Sequence, residues 1–230
     1  MSIDTTAEPA VELCDGATMT RQEFHTAYLA YPEHVKFELI NGIAHMASPA
    51  TYVHGDGDLY LSTALGIYMS QTPGTHAISN ATVELGDDDE PQPDLLLRID
   101  AEFGGRSTRT SDLYIAGPPE FVIEISYSSL RLDLTQKREA YARNGILEYL
   151  VFDVRGDRFH WFDLAAGEDL PAPPDNVFRI RQFPGLWVDG QAVIHGDLAK
   201  AISTVHAGLA SPEHAAFVAE LAARRTPPRT

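Results

Sequence analysis

The sequence predicts an α/β fold, a mixed β-sheet flanked by helices with extra helices at the C-terminus. Three observations predict it. Apolar runs of strand length recur, as in "PDLLLRI", "FVIEIS", "EYLVFDV" and "RFHWFDL". Stretches with helix-capping residues stand between and around them. The resulting order is helix, hairpin, helix, several strands, helix, strands, helices, which suits a sheet covered by helices. At 230 residues and 44% hydrophobic content, the chain suits one fairly large domain, or one domain with a terminal extension.

Each element has a local reason. Residues 1–18 read as a flexible N-terminal arm. "TRQE" at 20–23 is a capping box, with Thr20 as N-cap and Glu23 reaching back, and it opens a short helix that ends before Pro32. "KFELI" and "IAHMA" flank Asn41-Gly42, the pair that favours a type I′ hairpin turn. A helix is expected from about Gly55 to Gln71, with Leu59, Leu61, Leu65, Tyr68 and Met69 as its apolar face. "HAISNATVEL" and "PDLLLRI" read as strands, residues 100–120 as a loop, and "FVIEIS" as a strand. Asp133 is expected to cap a helix that runs to Asn144 and stops at Gly145. "EYLVFDV" and "RFHWFDL" form a strand pair around Arg155-Gly156-Asp157. "VFRIRQF" and "LWVDGQAVI" supply more strand. Two helices close the chain, the second capped by Ser211 with Pro212 at its first position, and "TPPRT" is a tail.

Composition narrows the function. Cys14 is the only cysteine, which rules out an intramolecular disulfide. The N-terminal stretch lacks a basic-then-apolar signal pattern. No apolar run approaches the ~20 residues of a membrane span. A cytoplasmic protein without a membrane partner is expected. The formal net charge of −16 repels nucleic acid unless basic residues gather locally, and it suits metal binding. "ELGDDDEPQPD" alone carries six carboxylates, whereas Arg98 to Arg143 holds seven basic residues against seven acids.

One residue stands out. Glu124 lies within the apolar run "FVIEISYSS". On a strand, Phe121, Ile123 and Ile125 share one face, and Val122, Glu124 and Ser126 the other. Burying a carboxylate costs on the order of several kcal/mol unless a partner replaces the water. Two partners suit it: a structural Arg or Lys, or a cation. Asp94 opens the strand "PDLLLRI", and Lys137 follows Glu124 by thirteen residues on a predicted helix. Two acids on neighbouring strands with a nearby lysine suit a hard divalent cation, Mg²⁺ or Mn²⁺, that keeps waters and admits a phosphate. Asp94 alone equally suits a turn residue, and Lys137 alone a solvated surface residue.

At these residues the chain resembles a known family. "FELINGIAHMASPATYVH", "QPDLLLRI" and "PPEFVIEISYSSLRLDLTQKREAYARNGILEYLVFDV" are similar to the Uma2-type (DUF820) family of the PD-(D/E)XK restriction-endonuclease-like superfamily. The match runs from about Glu38 to Asp153, with a looser echo in "FPGLWVDG". It implies a restriction-endonuclease-like domain over 19–195 and a C-terminal helical extension and tail over 196–230. It implies Asp94 and Glu124 as metal ligands and adds Glu38 as a further acid of the site. His54 matches a family histidine, while Gln136 and Tyr141 are weaker candidates. One departure is plain. The superfamily's signature lysine would stand at Ser126, and Lys137 is the candidate to replace it from the helix. Arg106 and Arg109, in the glycine-rich loop, are candidates to meet phosphates. The implied activity is Mg²⁺-dependent hydrolysis of DNA, and a homodimer is expected because cutting both strands of a duplex suits two-fold symmetry. Two other readings stay open: a binding or assembly module that has lost activity, and a metal hydrolase of small nucleotide-like phosphates.

Overall fold

The computed structural model describes residues 12–32, 35–47 and 51–226. Its centre is a six-stranded mixed sheet in the order β11-β10-β9-β8-β5-β3. The strands are β3 (Thr75–Ser79), β5 (Leu95–Ile99), β8 (Phe121–Ser126), β9 (Glu148–Asp153), β10 (Arg158–Asp163) and β11 (Glu168–Leu170). Only β8 and β9 pair in parallel; the other neighbours are antiparallel. The β8–β9 link passes through helix, as a parallel crossover requires.

The two faces of the sheet bury different layers. On one, Leu95 and Leu97 of β5, Phe121, Ile123 and Ile125 of β8, and Leu150 and Phe152 of β9 share a core with α2 (Tyr52–Gln71). Helix α2 meets them with Leu61, Leu65 and Tyr68. Its buried stripe is Gly57, Leu61, Ala64, Leu65 and Tyr68, a spacing of four, three, one and three residues that keeps one helical face. Leu59 falls off that stripe and is 57% exposed, so its expected place in the apolar face does not hold. Gly57 permits the close approach, since a Cβ there would lie 3.2 Å from Ile125 and from Phe152.

The opposite face carries Leu96, Val122, Tyr149, Val151 and Phe162, packed against Tyr141 and Ile146. Its covering helix has three parts: α3 (Leu130–Leu132), a π turn (Asp133–Lys137) and α4 (Arg138–Arg143). Asp133 therefore lies inside the helix rather than at its cap. Gly145, with φ +86°, closes it as expected.

A smaller unit stands beside the main sheet. The capping box at Thr20 and Glu23 is present and opens α1 (Arg21–Tyr28). The hairpin β1 (Phe37–Ile40) and β2 (Ile43–Met46) turns at Asn41 and Gly42, both with positive φ as a type I′ turn demands. Phe24, Phe37 and Leu39 form its core with Leu13. Residues 12–18 of the expected arm pack against this unit: Leu13 is buried and Gly16 N–H bonds Ala44 O at 2.8 Å. Residues 1–11 of the expected arm, and 227–230 of the expected tail, lie outside the described residues.

The remaining pieces frame these units. "HAISNATVEL" divides at Asn80, φ +53°, into β3 and β4 (Val83–Glu84), which belong to different sheets. β4 joins β6 (Thr108–Arg109) and β7 (Ile115–Ala116), two short strands within the expected loop. β12 (Val177–Arg179) pairs with β13 (Trp187–Asp189). Strand ends there, because Asp189 accepts a hydrogen bond from Ala192 N and caps α5 (Gly190–His195). α6 (Leu198–Leu209) and α7 (Pro212–Arg224) follow. Phe217 and Leu221 of α7 lie in the main core. Among the described residues no helix is long and apolar enough to cross a membrane.

Candidate active site

A cleft of about 690 Å³ opens where the hairpin, α2, β8 and the π turn meet. Asp94, Glu124, Glu38, Lys137 and His54 all line it. The sheet register explains the central pair. Leu95 stands opposite Ile123, and one further step of the same antiparallel ladder sets Asp94 beside Glu124. Asp94 is fixed there by Ile125 N–H, which donates to its Oδ2 at 2.7 Å. His54 Nε2 lies 3.2 Å from Asp94 Oδ1. His54 stands on the first turn of α2, capped by Thr51 Oγ1.

Lys137 joins three acids, two of them distant in sequence. Its Nζ lies 2.9 Å from Glu38 Oε2, 2.9 Å from Glu124 Oε1 and 3.8 Å from Asp133 Oδ1. It is 4% exposed and Glu124 is 3% exposed. Tyr141 OH donates to the same Glu124 Oε1 at 2.6 Å. Asp133, Lys137 and Tyr141 are spaced by four residues, so the helix turns all three toward the sheet. The wide π turn, a form frequent at functional sites, lies between the first two. Ser126 carries no charge to this cluster. Its Oγ donates to Asp133 Oδ2 at 2.5 Å, and Ser129 Oγ does so at 2.6 Å.

Electrostatics follow from this crowding. Burial pushes the Glu124 carboxyl well above the ordinary range; Lys137 opposes the shift, and the charges of Asp94, Asp133 and Glu38 add to it. Burial alone would lower Lys137, but Glu124, Glu38 and Asp133 outweigh it and raise Lys137 well above the usual lysine value. Burial also opposes ionisation of Asp94, yet His54, the Ile125 N–H and Lys137 hold it below the ordinary carboxylate value. His54 is raised, chiefly by its hydrogen bond to Asp94.

The residues present fit a divalent cation in part. Four carboxylates face one ammonium and one imidazole. Glu124 Oε1 takes both Lys137 and Tyr141, and its Oε2 accepts no hydrogen bond among the described residues. Asp133 Oδ1 is buried without a hydrogen-bond partner. Glu124 Oε2 therefore offers an oxygen ligand at the cleft, the donor type that Mg²⁺ and Mn²⁺ prefer, while Asp94 beside it already accepts the Ile125 N–H at Oδ2 and faces His54 at Oδ1. Glu38, like Asp94, has both oxygens partnered. Lys137 takes both of its oxygens, and Gln92 N–H donates to its Oε1 at 2.7 Å. Glu38, Asp94 and Glu124 do not present three ligand atoms within 4.8 Å of one another. Among the described residues that geometry occurs only at His25, Glu84 and Asp112.

Arg106 and Arg109 are not brought to the cleft. Arg106 is anchored elsewhere, donating from Nη1 to Gly145 O at 2.6 Å and lying 3.5 Å from Glu120. Arg109 lies exposed on β6. Lys36, His45 and Tyr127 line the cleft instead, with the Arg155 guanidinium stacked 4.3 Å from the Tyr127 ring. Gln136 keeps a buried Oε1 without a partner. Asp133 was missed as a member of the cluster. Its one signal was the four-residue spacing to Lys137.

The profile of the Uma2 family, described as "Putative restriction endonuclease", matches residues 21–192. The chain belongs to the Uma2 family. The family match takes in α1, the hairpin, the whole central sheet and every cleft residue named above. A crystal structure of a putative nuclease belonging to DUF820 from Anabaena variabilis ATCC 29413 is similar, with a TM-score of 0.61 and 16% identity. The likeness covers 74% of this chain and 96% of that one, and at this identity it shows the shared fold. No curated protein matches the sequence.

Proposed function

We propose that this Uma2 chain is a nuclease that hydrolyses DNA phosphodiester bonds with Mg²⁺ or Mn²⁺. The observation that carries the reading is the juxtaposition of Asp94 and Glu124 on adjacent strands, beside a buried lysine and at an open cleft. Asp94 and Glu124 Oε2 would hold the cation. When bound there, a divalent cation lowers the pKa of a water and steadies charge on the leaving oxygen.

The chain's own residues do the rest. Lys137 stays protonated between its acids, so it acts through charge and not as a base. Glu38 and Glu124 aim its ammonium, which makes Glu38 a positioning residue rather than a ligand. His54 and the Ile125 N–H hold Asp94 ionised and oriented. Lys36 and Lys137 are the two lysines that line the cleft beside Asp15, Glu38, Asp94 and Glu124, and Lys36 would meet a phosphate backbone there. Two copies of the chain would serve the two strands of a duplex.

Cleavage of plasmid and single-stranded DNA with Mg²⁺ or Mn²⁺ tests this. The wild type should cut, and Asp94→Asn should lose about 10²-fold or more. A folded wild type inert on both DNA forms with both metals would overturn the reading.

A further inference from the structure

The cleft is not lined by acids and lysines alone. Met46, Tyr127 and Leu132 line it together with Asp94 and Glu124. Met46 is 55% exposed there. A phosphate, a cation and a water have no use for these three side chains, so the apolar lining calls for another part of the ligand.

Tyr127 is the side chain best placed to recognise that part. It follows Ser126, the last residue of β8, and stands three residues beyond Glu124. Three residues of chain span at most about 11 Å. A group on the Tyr127 ring and a group at the acids therefore belong to neighbouring parts of one ligand. Val154 N–H donates to Ser126 O at 3.0 Å, which ties this strand end to the end of β9. Arg155 comes next in the chain, and its guanidinium carbon lies 4.3 Å from the centre of the Tyr127 ring. Arg155 is exposed and does not itself line the cleft. It covers one face of the ring from outside and holds the ring's plane. What Tyr127 turns to the cleft is the rest of the ring, its opposite face and its edge.

We propose that this face of Tyr127 stacks an unpaired nucleobase, with Leu132 and Met46 as further apolar lining, so that the strand in the cleft is single-stranded at that point. The inference rests on the reading of the cleft as a DNA site and adds the form of the DNA. Aromatic rings beside phosphate-handling groups are how single strands are gripped, because every base has a π face. A duplex hides both faces of each base in its own stack, and a base reaches Tyr127 only after it leaves that stack. A free single strand meets the requirement directly, and a duplex meets it where it is opened. Stacking also needs no surplus of positive charge. That suits a chain of net charge −16, which gains little from phosphate contacts alone.

Fluorescence anisotropy of a short labelled single strand tests this, with Ca²⁺ in place of Mg²⁺ so that binding is read without cleavage. The wild type should bind the single strand more tightly than the duplex of the same sequence. Tyr127→Ala should weaken single-strand binding by about 5- to 100-fold, and Tyr127→Phe should stay near wild type. The slope of affinity against salt should be the same in all three, because no phosphate contact is lost. An abasic strand of equal length should bind the wild type no better than the base-bearing strand binds Tyr127→Ala. Wild-type affinity in a folded Tyr127→Ala would overturn the proposal. So would equal binding of base-bearing and abasic strands by the wild type, a comparison that needs no variant to fold. A wild type that shows these differences yet cuts nothing with Mg²⁺ or Mn²⁺ would sink the nuclease reading and uphold this one. A wild type that cuts DNA while Tyr127→Ala binds it equally well would do the reverse.

Discussion

Strand β8 shows two chemistries one residue apart. Phe121, Ile123 and Ile125 enter an apolar layer under α2, where stability depends on filled volume. Val122, Glu124 and Ser126 face the helix that carries Asp133, Lys137 and Tyr141, where Glu124 and Lys137 meet as a buried ion pair. The apolar face tolerates a lost atom as a cavity. The polar face cannot lose one charge without stranding its partners. That face also keeps its own apolar layer of Leu96, Val122, Tyr149, Val151 and Phe162, into which the ion-paired cluster is set.

That contrast can be broken most forcefully at Lys137. Lys137→Met should cost about 3–5 kcal/mol in urea unfolding without metal, because Glu38, Glu124 and Asp133 lose their cation. Adding Glu124→Leu to it should recover much of that loss, since removing both partners is far milder. A single variant as stable as wild type would mean that the pair carries no weight. Leu150→Ala on the apolar face should cost about 2–5 kcal/mol, with no dependence on divalent metal. A metal-dependent loss there would show that the faces are coupled.

Tyr141→Phe is a smaller change. It removes one of two donors to Glu124 Oε1, and about 1.5 kcal/mol should go, measured by the same unfolding curves. The mildest effect belongs to His54. Its pKa is raised in the folded chain, so its stabilising pair with Asp94 is complete below the unfolded value of about 6.5 and fades as pH rises through the higher folded value. His54→Gln should therefore flatten the stability profile above about pH 6.5. An unchanged profile would remove His54 from the electrostatic account.

How much of this was legible in the sequence depended on distance along the chain. Thr20 with Glu23, Asn41-Gly42 and Gly145 are local signals, and each formed what its neighbours dictated. Glu124 betrayed itself as a charge in an apolar run. Lys137 meets Glu38 across 99 residues, and no local pattern encodes that contact. The family resemblance added Glu38 to Asp94, Glu124 and Lys137, which the residues alone had already suggested as a group. Asp133 was misread because an acid before a helical stretch looks like a cap, and a π turn has no local signature. That Lys137 and Gln92 meet the Glu38 oxygens is likewise invisible in the sequence. Arg106 looked free in a loop, yet the Gly145 carbonyl holds it. Asp189 explains the misread last strand: its cap on Ala192 turns "GQAVI" into helix.

Anomalous diffraction from crystals grown with Mn²⁺ asks the decisive question. A peak in contact with both Asp94 and Glu124, with the Lys137 ammonium still seated against Glu38, is the predicted result. A cleft without such a peak at saturating Mn²⁺, with Lys137 alone neutralising Glu124, would contradict it.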